Sequence, residues 1–398
     1  MAEGVSVPQR GIAMIRTGII AIAALALAAC QTVVPRGPDM RHRPPPVRVQ
    51  QAPSPIREGI PTDNDHQLIA LLVPLTGPNG GVGRSLANAT QLALLDTNNV
   101  RVRVTTYDTN LGAAAAAQRA IAEGNRLILG PLLAADVRAA VPVARGAGVP
   151  VLSFSNDTGV AGDGAYVLGY TPAQSIARVV DYARSQGMTS FTGLMPNGLY
   201  GDRAATAFLR SVEEAGGKVV SLQTYGNIPT LGGAVTRLSK TGPYQAVLIA
   251  DGAGTAATAA GMVHKSNGSA RVLGTELWNS ENAIGTRVGL NGAWFASVSD
   301  GLYRQYAAKY RARFGTGPYR LSSMGYDAVL LTIRIARDWP VGAPFPEGRL
   351  HDREGFSGID GAFRFGRDNV AERALEVQEI RGGTVTVVSP APSGFGAR

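Results

Sequence analysis

Apolar positions along the chain fall into short unbroken runs separated by amphipathic stretches. Residues 68–73, LIALLV, are all apolar and stop at Pro74. A run of that length, apolar on both faces, predicts a buried parallel strand. A glycine-rich loop follows, then helical spacing over 84–95. Residues 101–107 alternate apolar and polar and predict a second strand. The alanine-rich stretch 112–123 predicts a helix. A third strand over 127–129 closes at Gly130-Pro131, a helix follows over 134–146, and a fourth strand spans 149–154. Strands alternating with helices over short turns predict a parallel sheet covered on both faces.

The rhythm then restarts. Helices over 173–186, 201–215 and 231–240 lead to strands over 191–195, 218–222 and 246–250. This is the pattern of a second lobe of the same α/β architecture. Segments 166–169 and 271–274 sit at the changeovers and are expected to cross between lobes. The chain is expected to return to the first lobe with a strand over 293–298 and helices over 300–314 and 323–338. From about Gly355 it is expected to end in the second lobe. The expected boundaries are 66–170 for the first lobe, 171–274 for the second and 275–345 for the return. Residues 346–390 then form the last part of the second lobe, and 391–398 a tail.

The N-terminus has a different pattern. Residues 18–29, GIIAIAALALAA, form an apolar run after Arg16. A dozen apolar residues match a signal-peptide core and are too few to span a bilayer. The run ends in Leu27-Ala28-Ala29-Cys30, which resembles the bacterial lipobox. Residues 1–29 are therefore read as a signal peptide, and Cys30 as the lipidated residue of the mature chain. The alternative is an ordinary secretory signal with an incidental cysteine, and translation beginning at Met14 is equally compatible. With Gln31 after the cysteine, the resemblance implies anchoring on the periplasmic face of the outer membrane, held by buried acyl chains. Residues 30–65 are rich in proline and arginine and show no apolar periodicity. Such a segment cannot bury enough surface to offset its ordering entropy. At ~3.1 Å per residue it would reach roughly 100 Å as a tether.

Composition narrows the class. Of 398 residues, 45% are hydrophobic, 17% are charged and 50 are glycine. That suits closely packed helix–sheet layers and excludes a coiled coil or a wholly disordered chain. The net charge of +9 is scattered, so no nucleic-acid partner is expected. Cys30 is the single cysteine, which excludes an internal disulfide and a cysteine metal site.

No enzyme is expected. The loop 77–83 lacks the GK[ST] ending that handles phosphates and magnesium. His42, His66, His264 and His351 are widely spaced and form no HExxH pattern. There is no GxSxG elbow and no SxxK motif. No cofactor and no metal are called for.

The folded part resembles a known family. The strings LVPLTGP at 72–78 and GRSLANATQLAL at 83–94 are similar to the opening of branched-chain amino-acid binding proteins. LGPL at 129–132, VPVA at 141–144 and GVPVLSFS at 148–155 are similar to their third and fourth strands. GYTP at 169–172, YGD at 200–202, GYDA at 325–328 and FSGIDGAFRF at 356–365 continue the match. The resemblance implies a periplasmic-binding-protein-like fold of type I: two doubly wound parallel-sheet lobes, crossover strands and an interlobe cleft. The lipobox and the stretch SFSNDTGVAG at 153–162 resemble most the penicillin-binding protein activators, lipoproteins that stimulate a peptidoglycan synthase.

The same resemblance places candidate ligand contacts at the carboxyl ends of the strands. These are Ser153, Ser155, Asn156 and Asp157 after the fourth strand, with Tyr200, Glu276 and Trp278 across the cleft. Glu276 falls where the amino-acid binders place an acid against the ligand ammonium, Tyr200 where they place a cleft tyrosine, and Trp278 is read as an aromatic wall. The serine-rich turn that they use for the ligand carboxylate reads Leu132-Leu133-Ala134-Ala135-Asp136 here. Read as residues alone, Asn156 and Asp157 are turn-formers before they are ligand contacts, Glu276 is as readily a solvated loop acid, and Tyr200 and Trp278 can be packing at the lobe junction. Two functions stay open. One is a regulator that binds a bifunctional penicillin-binding protein. The other is a solute-binding protein that delivers a small polar solute to an ABC permease.

Overall fold

The computed structural model describes Asp63, residues 65–281 and 283–392, Gly394 and Phe395. The expected signal peptide, Cys30 and all but two residues of the expected tether lie outside these residues, as do parts of the tail. Asp63 accepts from His66 Nδ1 at 2.8 Å and from Arg103 Nη1 at 3.1 Å, so the chain is fastened to the first lobe where the described part begins.

The first lobe is built from β1 (Gln67–Val73), α1 (Gly80–Thr97), β2 (Val102–Asp108), α2 (Ala113–Ala122), β3 (Leu127–Leu129), α3 (Ala134–Gly146), β4 (Val151–Ser153) and β5 (Ala165–Val167). Its sheet runs in the order β2-β1-β3-β4-β5, and every pair is parallel. Alternation along β1 explains the unbroken apolar run. Ile69, Leu71 and Val73 pack into one core and Ala70 and Leu72 into another on the opposite face.

The second lobe repeats the plan. It comprises α4 (Pro172–Ser185), β6 (Ser190–Pro196), α5 (Leu199–Glu214), β7 (Lys218–Tyr225), α6 (Ile228–Ser239), β8 (Ala246–Ile249), α7 (Ala253–Ser266), β9 (Arg271–Gly274) and β10 (Trp294–Ser297). Asn227 and Thr230 form a reciprocal capping box at the start of α6. Helix α7 has no counterpart among the elements expected from the sequence. Alanine and glycine are spread around it, so its apolar and polar faces contrast little, yet Ala256, Ala259, Ala260 and Val263 are buried.

The remainder divides between the lobes. Helices α8 (Gly301–Phe314) and α9 (Ser323–Ala336) pack on α1. A small antiparallel sheet follows, of β11 (Phe356–Gly358), β12 (Gly361–Phe365) and β13 (Ala371–Arg373). Two final strands, β14 (Glu376–Arg381) and β15 (Thr384–Ser389), complete a seven-stranded sheet of order β15-β14-β10-β9-β8-β6-β7. Only β14 runs against the other strands, so its pairings with β10 and β15 are the antiparallel ones.

Three sequence expectations are corrected here. The strand at 293–298 does not return to the first lobe, because β10 pairs with β9 and β14 in the second sheet. Segment 271–274 is not a crossing but the strand β9, held between β8 and β10. The chain next crosses back between β10 and α8. The start of the C-terminal part does not join the second lobe: Phe356, Phe363 and Phe365 bury against α9 in the first-lobe core. Short strands of like composition carry no mark of which sheet accepts them, so their pairing is set by tertiary packing.

One device recurs in both lobes. Strand β1 runs into Pro74 and β6 ends at Pro196, and the helix that follows each returns over that proline. A Cβ on Gly83 would lie 1.8 Å from the Pro74 carbonyl oxygen, and on Gly201 1.6 Å from that of Pro196. Only glycine permits this approach of helix to strand end, and it brings the first turns of α1 and α5 down to the cleft.

Candidate functional site

The cleft is framed by loops at the carboxyl ends of both sheets. In the first lobe the loop after β4 is shaped by a ladder of alternate residues. Ser153 Oγ accepts the Ser155 N–H at 3.0 Å, Ser155 Oγ accepts the Asp157 N–H at 3.1 Å, and Asp157 Oδ1 accepts the Gly159 N–H at 2.9 Å. Ser153 also donates to the Pro131 carbonyl at 3.2 Å. Each polar side chain thus satisfies a neighbouring backbone group, the reason such residues form turns. Ser153, Ser155 and Asp157 are buried, whereas Asn156 is exposed.

Asp157 carries a second set of bonds. Its carboxylate pairs with Arg138 of α3, and with Arg203 of α5 at 3.4 Å. Arg138 belongs to the first lobe and Arg203 to the second. The acid is therefore sandwiched between cations contributed by the two lobes.

In the second lobe, the structure brings Tyr200 and Glu276 together. The Tyr200 hydroxyl donates to Glu276 Oε1 at 3.0 Å and lies 2.9 Å from Thr275 Oγ1. Ser175 of α4 donates to Glu276 Oε2 at 2.5 Å. Burial pushes the Glu276 carboxyl above its usual range, against the donors that favour its charged form. Burial, reinforced by the neighbouring carboxylate, likewise raises the Tyr200 phenol well above 10. Trp278 does not join them at the surface of the cleft. It is wholly buried in the second-lobe core, packed on Phe295 at 5.7 Å between ring centres, with its indole N–H donating to the Asp251 carbonyl at 2.9 Å.

A buried ionic cluster beside the cleft was missed by sequence reasoning. Arg320 donates to Asp360 Oδ1 at 2.7 Å, Ser323 donates to Asp360 Oδ2 at 2.8 Å, and Tyr170 donates to the same oxygen. Arg320 also reaches Asp300 at 3.4 Å, and with its amide suitably oriented Asn279 accepts from the same guanidinium at 3.1 Å. Arg320 and Asp360 therefore tie α9 and the small sheet to the loop after β9. The strings GYDA and FSGIDGAFRF contain Asp327 and Asp360, so the signal was present, but nothing in the spacing of 327 and 360 declares that they meet.

These groups leave little room. The cavity enclosed by Tyr170, Ser175, Glu276, Asn279, Arg320 and Arg373 has a volume of about 20 Å³, space for roughly one water molecule. Beside it lies an open groove of about 360 Å³ between Asn279, Asp300, Arg304 and Gln378. Among the described residues no group of three or more His, Cys, Asp or Glu is arranged to hold a metal ion, and no helix is long and apolar enough to cross a membrane.

Comparison with known proteins gives a consistent fold. Residues 67–384 match the family model described as periplasmic binding protein. Among solved structures, a Rhodospirillum rubrum protein assigned as a branched-chain amino acid ABC transporter superposes with a TM-score of 0.71 at 20% identity, over 81% of this chain and 100% of that one. Full-length LpoA from Haemophilus influenzae superposes with a TM-score of 0.63 at 18% identity, over 82% of this chain and 59% of LpoA. At these identities the likeness is one of fold. An uncharacterized protein of Rickettsia prowazekii is 28% identical over 134 residues, 33% of this chain. The match spans only 36% of that relative's length.

Proposed function

The chain belongs to the periplasmic binding protein family, and from that premise we propose that it works by binding without catalysis, as an outer-membrane lipoprotein that activates a penicillin-binding protein. The observation that carries this reading is the occupied cleft. Ser153, Ser155 and Asp157 spend their polar groups on their own loop and on two arginines. Ser175 and Tyr200 spend theirs on Glu276, and about 20 Å³ remains enclosed among the side chains at the hinge. Pockets for small molecules run to some 300–1,000 Å³; the enclosed space is far below that, and the neighbouring groove of about 360 Å³ is open and lined by Asp300, Arg304 and Gln378 rather than by the Tyr200–Glu276 pair. A lobe pair closed on itself offers a fixed surface to a protein partner instead.

A regulator of this kind acts by binding the active conformation of the synthase more tightly than the inactive one. The Pro/Arg-rich composition of the stretch before Gln67 supports the reading, because a segment of that length, if extended, would reach roughly 100 Å and let a protein held at one membrane meet an enzyme held at the other.

The second reading is a solute-binding protein of an ABC importer. It is favoured by the place of Glu276 beside Tyr200, where the family resemblance sets an acid against a ligand ammonium, and it requires a solute to displace the bonds that Ser175 and Tyr200 donate to that acid. Affinity capture separates the two. The protein is immobilised and detergent-solubilised membranes of the source organism are passed over it. Recovery of a bifunctional penicillin-binding protein, with a faster synthase rate when the protein is added, supports the activator. Recovery of permease subunits, or release of a small solute when the protein is unfolded, replaces it with the importer.

A further inference from the structure

In a solute-binding fold the two lobes close because a ligand bridges them, each lobe contributing groups that the other lacks. Here a bridge of that kind is made by the chain itself. Asp157 lies on the loop after β4 and is only 4% exposed. Arg138, on the first lobe, and Arg203, in the first turns of α5 on the second, reach it from opposite sides. The two arginines are half-exposed, so their own solvation is largely kept, while the carboxylate between them is desolvated and fixed.

We infer that Asp157 is a built-in ligand: its carboxylate occupies an anion site formed by Arg138 and Arg203 and holds the lobes closed with no solute present. Three features support the assignment. The Ser153–Ser155–Asp157 ladder orients the carboxylate before any contact with the second lobe, so little side-chain freedom is lost on closure. A carboxylate offers two oxygens, and here one goes to each lobe, Oδ2 to Arg138 and Oδ1 to Arg203. The segment after β3 reads Leu132-Leu133-Ala134-Ala135-Asp136 and offers no hydroxyl to an incoming carboxylate, whereas the loop after β4 supplies a carboxylate of its own in Asp157. The opposite end of the interface is tied by Arg320, just before α9, with Asn279 in the loop after β9, so the lobes are joined at both ends. The closure holds whichever partner the protein serves.

The test reads lobe separation in the full chain. In a Cys30→Ser background, spin labels at Gln118→Cys on α2 and Lys240→Cys after α6, both exposed positions, give the distance between lobes by pulsed electron resonance. The expected result is one narrow, short distribution without added solute. Asp157→Ala should broaden it toward longer distances, and so should Arg203→Gln, which alters a half-exposed residue and leaves the folded core untouched. Millimolar acetate should restore the short distance in Asp157→Ala but not in the Asp157→Ala/Arg203→Gln double variant. A distribution unchanged by both single variants, or a broad one in the parent protein, overturns the built-in ligand. Failure of acetate to close Asp157→Ala overturns the assignment of Arg138 and Arg203 as a carboxylate site.

Discussion

Asp327 Oδ1 accepts the Ile359 N–H at 2.6 Å, so a buried carboxyl of α9 fixes the turn that delivers Asp360 to Arg320. The two acids respond differently to their surroundings. Arg320 holds Asp360 below the usual carboxylate range, while burial and the Asp360 charge push Asp327 up to about 7. A carboxyl raised in the folded state binds its proton more tightly there than in the unfolded chain. Its contribution to stability is complete below the unfolded value near 4 and is lost as pH rises toward 7. The urea midpoint should therefore fall between pH 5 and pH 8, and Asp327→Asn should flatten that fall. The wild-type-minus-variant difference should change by at least ~1.4 kcal/mol, the equivalent of one pKa unit. Parallel curves for the two proteins would show that Asp327 does not titrate in this window.

Trp278 separates packing from binding. Its ring is fully buried and its N–H is bonded to the Asp251 carbonyl. Trp278→Ala should lower unfolding stability by ~3–5 kcal/mol, the cost of removing a large buried side chain. Tyr200→Phe removes one hydroxyl from a group that keeps its ring in place, and should cost only about 1 kcal/mol. Chemical denaturation of the two variants side by side is the check. A loss under about 1 kcal/mol for Trp278→Ala would place the ring outside the core.

The fold was legible because its central strands are buried on both faces. Unbroken runs such as residues 68–73 have one structural solution in a chain that alternates with helices, and both lobes could be counted from them. Lobe membership of the later strands was not legible. Residues 294–297 read the same whether they pair in the first sheet or the second, and only their neighbours decide. The site was legible in part, for a related reason. Tyr200 and Glu276 follow strands at positions where the fold gathers its loops, so topology alone brings them together. Trp278, two residues after Glu276, follows the same logic but turns inward, because its short helical turn rotates it into the core. Asp327 and Asp360 sit on elements whose contact is purely tertiary, and no spacing announces it.

The anchor gives a prediction outside the described residues. If Cys30 carries the lipid, Cys30→Ser removes the acyl chains, each buried CH₂ of which contributes ~0.8 kcal/mol to membrane attachment. The variant should move from the outer-membrane fraction to the soluble periplasmic fraction, with the folded unit unchanged by circular dichroism. Retention of Cys30→Ser in the outer-membrane fraction would mean that attachment comes from another part of the protein.

The paired glycines offer a test of the shared architecture. Gly83 and Gly201 occupy equivalent places in the two lobes, each pressed against the carbonyl of the proline that ends a strand. Backbone stands on both sides of the contact, so no side chain can swing away to make room. Gly83→Ala and Gly201→Ala should each cost ~1–3 kcal/mol by overpacking. The loss should appear as separate effects of similar size, since the two sites lie in different lobes and share no partner. Gly232 supplies the control. It lies inside α6, where an added Cβ would meet nothing within 4 Å, so Gly232→Ala should stabilise by ~0.5–1 kcal/mol through reduced backbone entropy of the unfolded chain. Equal, neutral effects at all three positions in urea unfolding would remove the close approach of helix to strand end as a constraint on either lobe.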